Sequence, residues 1–204
     1  MTFATFTVQQ FLDALASPDP TPGGGTAAAI TGAMGASLLI MVAGLAKSRT
    51  NSDDEKAALA QARAPLTAVR DRLVQLADAD TAAFDEVMGA YRLPKASDEE
   101  KAARAAAIER ALQLATTAPL ETLTQCALGI EVAMVVAANG NRSAASDVGV
   151  AIGLLEAAAA GADANVRINL ESLKDLSFKT ATAAATDSVS ARVAAQAAGA
   201  RARL

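Results

Sequence analysis

From Gly23 to Ala46 the chain carries no charged residue, and small side chains dominate: three glycines open the stretch, and Gly32, Gly35, Ala28, Ala29 and Ala36 recur within it. By length alone such a segment can cross a hydrocarbon layer of roughly 30 Å. Its content points elsewhere. Thr26, Thr31 and Ser37 interrupt it, no Trp or Tyr marks an interface, and the residues ahead of it contain no Lys or Arg, which also argues against a secretory leader. A helix that is apolar all round needs cover on every side, and its glycines let a neighbouring backbone come close. The expectation is a helix shielded by its neighbours or by a second subunit, with no membrane span.

The glycines do not make a nucleotide loop. GxxxxGK[ST] is missing, and Gly23-Gly24-Gly25 lacks the GxGxxG spacing. What remains is a loop stiffened by Pro18, Pro20 and Pro22 that opens a helix. The unpaired N–H groups of a helix start can hold a carboxylate or a polar ring edge. The alternative is a tight helix–loop junction with no ligand.

Apolar residues make up 52% of the chain, but alanine inflates that figure and aromatics contribute only 3%. Alanine is the strongest helix former, and β-branched or aromatic runs of period two are scarce, so the fold class is all-α. Ser52-Asp53-Asp54-Glu55 and Ser97-Asp98-Glu99-Glu100 each read as a capped helix start. The first opens a helix to about Tyr91 that Pro65 bends. The second opens one to about Ala138, kinked near Pro119 and stopped by Asn139-Gly140-Asn141. Further helices are expected over Phe3–Ala16, from Ser146-Asp147 to Gly161, over Asn165–Lys179 and in the alanine-rich tail. With no repeat or linker, residues 1–204 form one bundle of long helices.

The charge balance, 18 basic against 22 acidic residues, has no basic run and argues against a nucleic-acid partner. Histidine is absent, which excludes Ser-His and Cys-His relays and any histidine-ligated zinc centre. The one cysteine, Cys126, cannot form an internal disulfide, which fits a cytoplasmic setting. A small buried hydrophobe is its plainer reading. Proton transfer, if this chain catalyses any, falls to Asp, Glu, Lys, Tyr or water.

Three polar clusters interrupt the alanine background. Asn141-Arg142-Ser143 leads into Ser146-Asp147, where an Asp at a helix start reads first as a cap. Asn165 and Asn169 share one helix face and need partners if buried; neighbouring helices or a heterocycle's amide edge would serve. Asp78, Asp80 and Asp85 form the third cluster, from which one acid can turn inward.

Together and in this order, the clusters and the glycine loop resemble the cyclodeaminase/cyclohydrolase family, which includes methenyltetrahydrofolate cyclohydrolases and the C-terminal domain of formiminotransferase-cyclodeaminase. The resemblance rests on Pro20-Thr21-Pro22-Gly23-Gly24-Gly25, Asp80 with Ala83-Phe84-Asp85, and Leu93-Pro94-Lys95. It continues through Gly140-Asn141, Ser146-Asp147 with Gly149-Val150-Ala151, and Asn165-Val166-Arg167-Ile168-Asn169-Leu170. Two departures stand out: Ser48-Arg49 replaces the family's usual Gly-Lys pair, and Ser143 occupies a place where a second Asn is common.

The resemblance implies a helical homodimer, associating through its glycine- and alanine-rich helices, with a folate site near the subunit interface. It implies either hydrolysis of 5,10-methenyltetrahydrofolate to 10-formyltetrahydrofolate or expulsion of ammonia from 5-formiminotetrahydrofolate. Since no transferase domain accompanies this stretch, the cyclohydrolase is the leading expectation. A folate-binding scaffold without turnover is the third reading. No permanently bound cofactor or metal is expected; the tetrahydrofolate derivative is the substrate. The bridge between N5 and N10 is an amidinium cation, which an ionised carboxylate would attract while accepting a proton from water. On this reading Asp147 is the first choice for that carboxylate and Asp80 the second. Asn165 and Asn169 would read the pterin edge. Asn141, Ser146 and the Gly23, Gly24 and Gly25 amides would line the pocket, and Arg49, Lys95 or Arg167 would meet the glutamate tail.

Overall fold

The computed structural model describes residues 2–45 and 52–204. Six α-helices account for most of them: α1 (Val8–Ala16), α2 (Gly24–Gly44), α3 (Asp53–Tyr91), α4 (Asp98–Asn139), α5 (Ala145–Ser172) and α6 (Leu176–Arg201). Among the described residues there is no strand. Single 3-10 turns precede α1 and α5.

Local chemistry sets most of the starts. Thr7, Ser52 and Ser97 each accept the N3 amide of the helix they cap, while Gln10, Glu55 and Glu100 reach back to the cap's own amide. These capping boxes satisfy two otherwise unpaired donors apiece. Acidic residues fill the first turns of α3 and α4, where the helix dipole favours negative charge.

The apolar stretch is α2, and it sits at the centre of the bundle against α3, α4 and α5. Its glycines explain how. A Cβ on Gly32 would lie 3.1 Å from both Cys126 Sγ and Leu73 Cδ1, and one on Gly35 would lie 2.9 Å from the Ala151 carbonyl. Three helices of the same chain therefore close on α2 at these points. Of the two kinds of cover expected, neighbouring helices or a second subunit, Gly32 and Gly35 have the first: they serve the subunit's own core. Leu39, Leu66, Leu73, Leu123, Ile130, Ile152 and Leu155 fill that core with no exposed surface, each worth roughly 1.5–3 kcal/mol of burial. Cys126 lies among them, and burial pushes its thiol up to about 12, so it is inert packing.

Three helices, α2, α4 and α5 with its preceding turn, are long and apolar enough to cross a bilayer by length and composition. In α2 half of that apolar window is buried inside the bundle. Exposed Met34 and Met41 and half-buried Ile30 and Leu38 are spaced so that they share one apolar face.

Neither internal proline breaks its helix: α3 runs through Pro65 and α4 through Pro119. The expected gap after Gly161 is also absent. α5 is continuous, with Gly161 packed against Ala28, and the chain turns at 173–175 instead.

Candidate active site

Gly23 caps α2 with extended backbone and no side chain to satisfy the first turn, so the helix begins with free N–H groups. The group that fills this role comes from α3. The Thr26 amide and hydroxyl both donate to the Asp80 carboxylate, the hydroxyl at 3.0 Å. Gly25 is what lets the carboxylate in: a Cβ there would lie 2.6 Å from Asp80 Cγ and 2.7 Å from Oδ2. Only glycine tolerates so close an approach.

Asp80 is largely buried. Burial raises its pKa above the ordinary carboxylate value, and the two Thr26 hydrogen bonds offset part of that rise. A carboxyl held this way gives up and regains its proton at a higher pH than a surface acid.

Around Asp80 lies a pocket of about 190 Å³ lined by Pro20, Thr21, Gly23–Gly25, Phe84, Ala115, Asn165 and Asn169. Phe84 follows Asp80 by four residues and so shares its face of α3. Asn165 donates to the Gly161 carbonyl of its own helix at 2.8 Å, and among the described residues no donor reaches its carbonyl oxygen. Asn169 donates across to the Ala115 carbonyl of α4 at 3.0 Å. That carbonyl needs a donor because the residue four places on is Pro119, which has no N–H to give. Asn169 thus repairs the helix at its proline and also lines the pocket.

The structure brings together Gly23, Gly24, Gly25, Asp80, Asn165 and Asn169 of the residues expected from sequence. It does not bring the others to them. Asp147, half-buried in the first turn of α5, stands about 27 Å from Asn165 along the same helix at ~1.5 Å per residue. Ser146 is its neighbour, and Asn141 caps the preceding turn by accepting the Ser143 amide, both at that far end. Arg167 is turned outward and held by Asp163 and Asp187. Lys95 is exposed in the connection after α3 and lines no part of the pocket. Arg49 and Ser48 lie outside the described residues. Sequence reasoning did not single out Thr26 or Phe84; the four-residue spacing to Asp80 was the available signal for Phe84.

Among the described residues Asp80 is the one ionisable side chain lining the pocket, and none of the residues lining it is a cation. Such a pocket favours a positively charged group, with an acceptor carbonyl from Asn165 and a flat aromatic wall beside it.

Comparison with known proteins shows the family and the fold. The family model described as formiminotransferase-cyclodeaminase matches residues 7–188. A methenyltetrahydrofolate cyclohydrolase from Methylorubrum extorquens is 46% identical over 84% of this chain and 83% of its own length. The formimidoyltransferase-cyclodeaminase of Gallus gallus is 34% identical over 84% of this chain, which spans only 32% of that larger protein. The crystal structure of formiminotetrahydrofolate cyclodeaminase from Thermotoga maritima superposes with a TM-score of 0.88 at 26% identity, covering 98% of this chain and 96% of that one.

Proposed function

The chain belongs to the formiminotransferase-cyclodeaminase family, and on that premise we propose that it is a methenyltetrahydrofolate cyclohydrolase with Asp80 as its catalytic carboxylate. The observation that carries this reading is a largely buried carboxylate that is, among the described residues, the one ionisable group lining the pocket at the start of α2.

The substrate's bridge carbon is part of an amidinium and already electrophilic. Ionised Asp80 attracts that cation and accepts a proton from a water set about 3–3.5 Å from the carbon. Hydroxide adds, the N5–C bond breaks, and the hydroxyl proton passes to N5, leaving the formyl group on N10. Charge balance is strict: a cation and a water become a neutral product and one proton. Asp80's raised pKa suits the second of these roles, since a stronger base takes the proton more readily, and the bound cation favours the ionised form in which it must start.

The pterin lies with one face toward Phe84, and the Asn165 carbonyl oxygen accepts from its N–H edge. At about 190 Å³ the pocket is smaller than the roughly 300–1,000 Å³ of typical ligand sites. The bridge and part of the pterin fit inside; the rest of the folate extends beyond. We assign no residue to the glutamate tail. No resident metal or cofactor takes part in this scheme, and the cytoplasm is the proposed setting.

The proposal includes a homodimer. On α2 Met34, at 55% exposure, and Met41 lie open in the single chain, flanked on the same face by half-buried Ile30 and Leu38. Covering it is what a second copy would do.

A second reading has support in the likeness to the Thermotoga maritima cyclodeaminase over nearly the whole chain. In it the same carboxyl, protonated, would hand its proton to departing ammonia. Loss of methenyltetrahydrofolate absorbance above the buffer rate supports the hydrolase, and a rate equal to buffer removes it. Ammonia release from 5-formiminotetrahydrofolate decides the second reading in the same way. Folate binding with neither turnover would leave a scaffold.

A further inference from the structure

Every turnover of the proposed reaction leaves one proton on Asp80, and a bound bridge covers the pocket from which water would collect it. A second way out is built into the packing behind the carboxylate. Thr26 is wholly buried, with its Oγ1 3.0 Å from Asp80 Oδ2 and 3.2 Å from the Thr81 hydroxyl. Thr81 is half-buried and lines a different cavity, a groove of about 430 Å³ walled by Phe3 and Phe6 of the N-terminal segment and by Asp19, Asp78 and Asp85. Thr26 itself lines neither cavity and lies between Asp80 of one and Thr81 of the other, while Thr21 borders both.

We propose that Thr26 and Thr81 carry the proton from Asp80 through the wall of the active site to water in this acid-lined groove. The inference rests on the assignment of Asp80 as the catalytic carboxylate. Each hydroxyl has one proton to give and lone pairs to receive another, so the row has two senses. When Asp80 is ionised, Thr81 donates to Thr26 and Thr26 donates to Asp80. Once Asp80 is protonated both hydroxyls turn: Asp80 donates to Thr26, Thr26 to Thr81, and Thr81 to a groove water. Transfer along these three bonds moves one proton outward, restores ionised Asp80 and leaves both hydroxyls in their first orientation. No bond to carbon changes and no other reactant is needed. The Ala77 carbonyl, 3.4 Å from Thr26 Oγ1, is the other acceptor within reach, at a longer distance than either partner in the row. The carboxylates of Asp19 and Asp85, exposed along the groove, favour an arriving proton over a departing anion.

Thr26 and Thr81 act through Asp80 and touch no substrate, so their test needs a readout that packing alone would not move. Thr81→Val keeps the Thr26–Asp80 bond and removes the exit. With methenyltetrahydrofolate as substrate, and the buffer blank subtracted at each concentration, Thr81→Val should lower kcat about tenfold with KM unchanged, less than the ~10²-fold or greater loss expected from removing Asp80 itself. The deficit should be recovered by raising the concentration of a small diffusible buffer, and the solvent deuterium effect on kcat should increase. Thr81→Ser should restore both. Two results would overturn the relay while wild-type turnover leaves the enzyme assignment intact: an unchanged kcat in Thr81→Val, or a loss that neither buffer nor serine recovers. Absence of turnover in the wild-type protein would overturn the enzyme assignment and the relay together.

Discussion

At Asp80, burial, two bonds from Thr26 and the missing Cβ of Gly25 meet on one carboxylate. Because its pKa in the folded protein lies above the ordinary value, the base form is populated only at higher pH. The log of kcat/KM, which reports the free protein, should therefore rise with unit slope through an apparent pKa above the usual Asp range and then level; a profile flat down to pH 4 would show that another group takes the proton. Stability follows the opposite direction. A raised carboxyl pKa contributes stability that is complete below the unfolded-state value and is lost as pH rises through the folded one. Gly25→Ala should push the carboxylate off the start of α2, costing about 1–3 kcal/mol of stability as overpacking and at least tenfold in kcat, measured by thermal melts and steady-state rates. Asp80, the glycines and both asparagines were legible in the sequence because their residue types stand out against alanine. Thr26 was not: its partner lies on another helix, and within α2 it reads as one more small residue.

Among the elements, α4 and α5 show what is local and what is not. The capping boxes at Ser52 and Ser97 were readable because all their partners lie within three residues. α4 continues through Pro119, and the Ala115 carbonyl that the proline orphans is satisfied from α5 by Asn169. Likewise the turn at 173–175 depends on Glu109 of α4, which accepts the Lys174 and Asp175 amides, and on Asp175 capping α6. No window of sequence contains both halves of such contacts. The pairing predicts a double-mutant cycle. Asn169→Leu should destabilise by about 1–3 kcal/mol through the unsatisfied carbonyl. In a Pro119→Ala background, where an amide is restored to Ala115, that cost should fall to half or less. Equal costs in both backgrounds, measured by denaturant titration, would contradict it.

For the molecule as a whole, the bundle and its one-chain organisation followed from composition and caps, whereas the grouping of site residues did not. From the sequence Asp147 is the first choice of carboxylate and Asp80 the second; the antiparallel run of α5 past α2 puts Asn165 beside Gly24 and leaves Asp147 at the opposite end. The open face of α2 gives a prediction at this scale. Met34→Glu with Met41→Glu should convert a dimer to a monomer of unchanged helicity in sedimentation and circular dichroism. A dimer that survives both charges would place the interface elsewhere. The central claim is that Asp80 performs the chemistry, and one comparison tests it most directly: methenyltetrahydrofolate turnover and melting temperature of the wild-type protein, Asp80→Asn and Asp147→Asn at neutral pH. Asp80→Asn is expected to lose about 10²-fold or more in kcat while melting no lower than wild type, with Asp147→Asn losing less than tenfold. Near-normal turnover in Asp80→Asn, or the larger loss in Asp147→Asn, would contradict the account.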